Sequence, residues 1–463
     1  MNKWVAGLAL ILVFLAIGMF IIETETGTSP KKVLYVSPDG SDKNSGSKQK
    51  PLKTIQKAVD SAEPGTVVYV REGIYKEQVV IRESGSKNAP IMIKSYKKEK
   101  AVLDGTSLKA NGDNQGLISI HNKSYITIDG FEVRNYKTAE EDLVPIGISV
   151  SGSGKGIRIL RNHVHHIETL HENGNAHGIA VYGTKAPEAI EDIEITGNLV
   201  EDLKLGWSEA IVLNGNVSHF KVTKNIVRQS NNIGIDMIGY EGTSPREAYD
   251  QARNGLVSHN TVCGISSYGN PAYGPHYTAG GIYVDGGKDI TIEENRVYQN
   301  DIGIEAASEH KGKSTSGISI RKNIIFENRS AGIAIGGYDE ERGNTVESSI
   351  TDNVLYKNDR EYQDGGQVLI QYNTKHNTIK NNIMVAGESG LLISSPFRKS
   401  EGNSINHNMY YVSGGEKKAR WIWEEKEISG FSEYQKKSRQ DGNSVFQKPE
   451  FIDEGKKDFR LEK

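Results

Sequence analysis

The sequence is short of several things. Its 463 residues hold a single cysteine, Cys263. One thiol cannot close an intramolecular disulfide, and a cysteine-based zinc site needs more ligands. Cys263 therefore reads as a small buried apolar residue. Apolar residues make up only 36% of the chain, and no amphipathic stretch of helical length recurs along it. That excludes a fold built from helical repeats. Net charge is also nearly absent, 56 basic residues against 59 acidic ones. A broad basic footprint for nucleic acid is excluded, and no nucleic-acid partner is expected. An acidic disordered chain is excluded too, because the apolar residues are regularly placed.

What is plentiful is glycine, 50 of 463 residues, above the roughly 7% of ordinary proteins. High glycine with modest apolar content points to many turns and thin cores. The N-terminus differs. Trp4 to Ile22 carry no charge, a run long enough to cross a hydrocarbon core of about 30 Å as a helix. Lys3 precedes it, and Glu23 and Glu25 follow. The positive-inside rule then places the rest of the chain outside the cytoplasm. Residues 1–22 are expected to be a single-pass anchor on the extracellular face, with a cleaved signal and a secreted protein as the alternative. Residues 23–32 read as a linker.

Length alone, at roughly 150 residues per domain, suggests about three domains. The repeats replace that count. ILRNHV, ITGNLV, VTKNIV, VSHNTV, IEENRV, IRKNII, ITDNVL, IKNNIM and INHNMY share an apolar residue, two variable residues, Asn, one more residue and usually an aliphatic. Their asparagines are Asn162, Asn198, Asn225, Asn260, Asn295, Asn323, Asn353, Asn382 and Asn408, spaced 26 to 36 residues apart. A second short segment follows most of them, as in HGIAVYG, EAIVLNG, IGIDMIG, GGIYVDG, IGIEAAS and AGIAIGG. Its alternation has period two, that of a strand. Two or three short strands per repeat make one turn of a parallel β-solenoid. Like residues then stack at about 4.8 Å, and the asparagines should hydrogen-bond along the stack.

The predicted fold is all-β, a right-handed parallel β-helix over residues 33–412. An amphipathic helix, TIQKAVDSA from Thr54 to Ala62, should cap its open end. Residues 413–463 lose the repeat and read as a C-terminal cap. Residues 35–81, YVSPDGSDKNSGSKQKPLKTIQKAVDSAEPGTVVYVREGIYKEQVVI, resemble the opening of β-helix proteins of the pectin-lyase-like superfamily. Within it they are similar to family 9 pectate lyases. The resemblance implies the fold and a carbohydrate substrate, but the fold hosts lyases, hydrolases and epimerases alike.

Aligning the short strands on their inward isoleucines gathers polar residues in outward columns. Asp236, Tyr283 and Glu305 share one column on three successive coils, and Asp285 lies one column across. His177 and Glu209 stand at strand starts on the two preceding coils. At about 4.8 Å per coil, Asp236 and Glu305 lie about 9–10 Å apart, and Asp285 about 8 Å from each. Inverting glycosidases hold their carboxyls roughly 6.5–9.5 Å apart. Asp236, Asp285 and Glu305 are thus the catalytic candidates for hydrolysis of a polysaccharide, with no cofactor.

The alternative, drawn from the resemblance, is a polysaccharide lyase in which the same three acids hold calcium against a uronate. A basic residue such as Lys288, Lys311, Arg342 or Arg253 would then take the proton. A third reading is a non-catalytic glycan-binding surface protein. Loops 239–255, 266–281, 308–313 and 337–344 flank the acids and supply candidate sugar contacts. These are Tyr240, Tyr277, His310, Tyr338 and Arg342, beside Tyr283, His177 and Glu209, with Tyr268, Tyr273 and Glu309 as further neighbours. The histidine-rich segment 161–177 contains no HExxH helix, and a transition-metal site is not expected there. A monomer is expected.

Overall fold

The computed structural model describes residues 30–110 and 116–462. The expected anchor at 1–22 lies outside them. Among the described residues no helix is long and apolar enough to cross a membrane.

Three sheets, of 19, 13 and 13 strands, run the length of the molecule, parallel throughout but for the last pair, Arg420–Trp423 with Lys426–Ser429. Each coil lays one or two short strands in the first sheet and one in each of the others. Lys221–Thr223, Ile226–Ser230 and Ile235–Ile238 are one such coil. The register is in step over many coils. Ile148, Ile179, Ile211, Ile235, Ile282, Ile304 and Ile333 form one continuous inward column, and all are fully buried. Each buried isoleucine contributes roughly 1.5–3 kcal/mol, so the thin core is rebuilt every turn.

The nine repeat asparagines lie at the corner between the first two strands of each coil and are buried. The Asn225 Nδ2 donates to Asn260 Oδ1 at 3.0 Å and to Ile195 O at 2.9 Å, and its backbone N–H donates to Asn260 Oδ1 at 2.9 Å. Asn260 repeats the pattern onto Asn295. The residue before each ladder asparagine is left-handed, as at Lys224 (φ 57), His259 (φ 57) and Glu294 (φ 55). Such conformations cost non-glycine residues energy and persist where the surroundings over-determine them; the amide ladder supplies that restraint. A shorter ladder, Asn300, Asn328, Asn358 and Gln367, runs along another corner.

The N-terminal cap is a helix over Ile55–Asp60, with Thr54 accepting from the Lys57 N–H. At the other end Trp421 is fully buried and stacks on Tyr434 at 4.9 Å. The hairpin of Phe451–Asp453 and Asp458–Leu461 lays Phe459 on Tyr356 at 4.7 Å. Cys263 departs from expectation. It is half-buried on the outward side, because its strand partners in register are Arg228 and Tyr298.

Candidate active site

The expected columns are present. Asp236 pairs with Tyr283 and Tyr283 with Glu305, and Asp285 pairs with Ala307 one column across. Their surroundings are not the open, wet groove that outward-facing strands predict. Asp236, Asp285 and Glu305 are only 2%, 4% and 8% exposed, and His177, Glu209 and Tyr283 are buried as well. Loops roof the face. Apolar patches also flank the acids, Ile146, Ala180, Val212 and Ile238 on one side and Ile302, Ala331 and Ala334 on the other.

Each loop is pinned by a buried acid or amide. Asp250 accepts from the Gly242 and Ser244 N–H groups at 2.6 and 2.8 Å. That fold of the chain, with Tyr240 left-handed (φ 72), brings Glu241 to Asn214, whose Nδ2 donates to Glu241 Oε2 at 2.7 Å. Asp301 Oδ2 accepts from the Ser267 and Ala279 N–H groups. Asn270 Nδ2 donates to Gly206 O at 2.7 Å and Asn231 O at 2.8 Å, tying the 266–279 loop across two coils. The Glu309 N–H donates to Asp285 Oδ1 at 2.7 Å, and Arg342 Nη1 donates to Glu309 O at 3.4 Å.

Burial dominates the electrostatics. Desolvation raises Asp236, Asp285 and Glu209 well above the usual carboxylate range, and neighbouring acids raise each further. Glu241 and Glu309 are the recurrent neighbours. Glu305 is pushed up to about 8 by burial and then by Glu309. It is therefore protonated at neutral pH. His177 is pulled down to about 4 by burial and stays neutral. Its Nδ1 lies 3.2 Å from Glu209 O and its Nε2 lies 3.0 Å from Tyr182 Oη. Asp236 Oδ1, Asn214 Oδ1 and His310 Nε2 are buried without a hydrogen-bond partner. Buried polar atoms are rarely left so, and a ligand entering the cleft would meet them.

Not every expected residue joins the cluster. Tyr240 Oη accepts from Gln251 Nε2 at 2.9 Å and its ring lies 5.3 Å from Lys313 Nζ, so it packs its own loop. Tyr277 stacks on Tyr268 at 4.7 Å and faces Arg329, away from the acids. Tyr338 is exposed beneath Arg342 and borders Glu309. Arg253 and Lys288 pair with each other on the 19-stranded sheet, remote from the acidic one. Of the named bases, Arg342 is the one the hydrogen bonds bring to the cleft.

Two residues of the site, one in the cluster and one at its rim, went unread in the sequence. Glu241 sits in a loop with no period to place it. Trp207 lies two residues before Glu209 and is 45% exposed, yet packs against Tyr273 with ring centroids 5.0 Å apart and planes tilted by 54°. Tyr273 in turn feels the charges of Glu209, Glu309 and Asp236, so the indole sits at the rim of the cleft. A lone tryptophan in a Gly-Trp-Ser turn beside a candidate acid was the available signal.

Among the described residues, two groups of side chains bring ligand atoms within 4.8 Å of one another, as a cation site requires: Glu241, Asp285 and His310, and Glu132, His163 and His165. The first draws in Asp285 but not Asp236 or Glu305, which changes the expected calcium set. The second lies in the histidine segment, where His163 and His165 share one face of a strand. Glu132 there is already paired with Lys100 at 2.7 Å and Arg134 at 2.5 Å.

Three stacked parallel sheets with one acidic strand face define a pectin-lyase-like right-handed β-helix protein. The family profile described as Pel9A-like, right handed beta helix region, matches residues 34–198. The chain is 48% identical over 431 residues to the uncharacterized protein YwoF of Bacillus subtilis (strain 168), covering 93% of this chain and 90% of that one. It belongs to the YwoF family. It is also 35% identical over 113 residues to pectate lyase PEL9 of Emericella nidulans, covering 22% of this chain and 28% of that protein. Among solved structures it resembles the GH136 lacto-N-biosidase from Eubacterium ramulus (TM-score 0.53, 16% identity, 90% of this chain and 67% of that one). It also resembles XylC in complex with xylose (TM-score 0.52, 12% identity, 91% and 88%). At these identities the structural likeness speaks for the fold.

Proposed function

We propose that the chain is a carbohydrate-active enzyme of the cell exterior that hydrolyses glycosidic bonds of a polysaccharide. The observation that carries this is the burial of Glu305 in one outward column with Asp236 and on the coil next to Asp285. A carboxyl held neutral to about 8 by burial can give a proton to a leaving oxygen at neutral pH. Asp285 is the partner that takes a proton from water; burial and the Glu309 carboxylate raise it, so it acts as a base only once an entering ligand relieves that crowding, with the Glu309 N–H favouring its charged form. Glu305 and Asp285 lie on adjacent coils two residues out of register. Their backbone positions are thus about 8 Å apart, suited to inversion. Asp236, with one oxygen unpartnered, is placed to accept from a sugar hydroxyl or share the proton load. The lacto-N-biosidase likeness fits a hydrolase. The uncharged run at residues 4–22 supports an external, membrane-tethered location.

A second reading is a calcium-assisted lyase on uronate-containing glycans. The pectate lyase relative favours it, as do the converging ligand atoms of Glu241, Asp285 and His310. Arg342 would then be the basic group beside the cleft. The full chain incubated with neutral and acidic glycans, with and without chelator, separates the two. Hydrolysis yields new reducing ends without an ultraviolet-absorbing unsaturated product, and chelator leaves it intact. An unsaturated product lost on chelation supports the lyase. Binding without cleavage, unchanged in Asp285→Asn, overturns both.

A further inference from the structure

A second cleft lies in the first coils, on different sheets from the acids. A cleft of about 930 Å³ opens where the 19-stranded sheet bends toward the strand Phe131–Thr138. Its floor is Asp129 and Glu132, and its rim is the turn 96–100 with Lys97, Lys98 and Lys100. The floor acids are already neutralised. Asp129 takes Arg161 at 2.5 Å and Lys94 at 3.6 Å, and Glu132 takes Lys100 and Arg134. Glu99 at the rim is held by Arg71 at 2.7 Å. Among the described residues no carboxylate pairs with Lys97 or Lys98 in an ion pair. Both are exposed and both are left-handed, at φ 49 and 68. Two such non-glycine residues in succession are strained, a feature that gathers at functional sites.

Beside this rim stand three aromatic rings. Tyr35, Tyr69 and Tyr96 pack against one another with centroids 5.4 to 5.7 Å apart, all partly exposed. Lys97 and Lys48 hold their ammonium groups 5.5 and 5.7 Å from the Tyr96 ring. Tyr69 itself lines the cleft. Flat rings offer a surface for the C–H faces of pyranose units, and exposed ammonium groups held beside Tyr96 offer partners for carboxylates.

We propose that this Tyr35–Tyr69–Tyr96 platform and its Lys97–Lys98 rim form an accessory site for an acidic, uronate-bearing polysaccharide. The site holds the polymer without cutting it and is independent of the hydrolytic reading. It is tested by calorimetric titration of the full chain carrying Asp285→Asn, which removes turnover. The probes are tetragalacturonate and, as a neutral control, cellotetraose. Tetragalacturonate should bind, weakening as salt rises, and Lys97→Ala with Lys98→Ala should weaken it at least tenfold. Tyr69→Ala should do the same with an unchanged circular dichroism spectrum. Cellotetraose should bind at least tenfold more weakly. No binding of tetragalacturonate, equal binding of cellotetraose, or equal affinity in the double lysine variant would each overturn the proposal.

Discussion

Two buried polar arrays run along this solenoid, and they behave in opposite ways. The asparagine ladder and the acidic columns both stack on successive coils and both exclude water. An amide carries a donor and an acceptor, so each asparagine satisfies the next without outside help. An ionised carboxylate only accepts. Stacked carboxylates must therefore bind protons, find donors or receive a ligand. The ladder closes its own hydrogen bonds. The acids leave Asp236 Oδ1 open and hold their protons tightly. One array serves the fold, and the other stores a cost that only proton uptake or a ligand relieves.

The largest effect that would test this contrast is on pH-dependent stability. Glu305 moves from 4.5 unfolded to about 8 folded, so the folded state binds its proton more tightly. Its contribution is fully present below about 4.5 and is lost as pH rises through about 8, up to about 5 kcal/mol in all. His177, lowered to about 4, acts the other way: its contribution is present above about 6.5 and lost as pH falls through about 4. Urea unfolding at pH 5 and pH 8.5 should show both proteins losing stability, because Asp236, Asp285 and Glu209 are raised too, with Glu305→Gln losing less by the Glu305 share. Equal pH slopes in the two proteins would mean that Glu305 is not held protonated by the fold.

Next comes catalysis. Asp285→Asn keeps the shape and removes the base, and should lower turnover about 10³-fold, or about 4 kcal/mol, with an unchanged melting temperature at pH 6. Turnover within threefold of wild type would move the chemistry elsewhere. Smaller still is the matched pair Asn260→Ala and Asp236→Asn. Loss of the Asn260 amide strands the Asn225 and Asn295 groups and should cost about 2–3 kcal/mol. The Asp236→Asn change removes a carboxyl from a crowded acidic site and should leave stability at pH 8 unchanged or raised. Denaturant midpoints decide it; equal losses would erase the distinction between the arrays.

The period-two strands and the spaced asparagines made the coil stack legible, because a solenoid repeats one local rule. The column of Asp236, Tyr283 and Glu305 followed from the same rule, since register carries side chains of one parity to one face. What did not follow was burial. The roof over the acids is built by loops of unequal length, pinned by Asp250, Asn270 and Asp301, and no periodicity places those residues. Glu241 enters the cluster, and Tyr240 and Tyr277 leave it, for the same reason. The same parity rule places the histidines: His163 and His165 are two apart and so share a face, where their rings stack at 4.3 Å.

The smallest expected effect concerns the rim of the acidic cleft. Trp207 is large, exposed and braced by Tyr273, which the Asn270 anchors hold across the coils. An exposed indole of this kind loses apolar surface to water, unless a ligand ring covers it. Among the described residues it hydrogen-bonds to none of the acids and stands at the rim of their cleft, so it should bind ground state and transition state alike. Trp207→Ala should then raise KM about tenfold, or about 1.4 kcal/mol, with kcat unchanged. Trp207→Phe should restore most of the loss, since a smaller ring still stacks on the sugar. A fall in kcat with KM unchanged would instead make the indole part of the machinery that the carboxylates serve, and the boundary between binding rim and reacting centre would have to be drawn one residue pair further out.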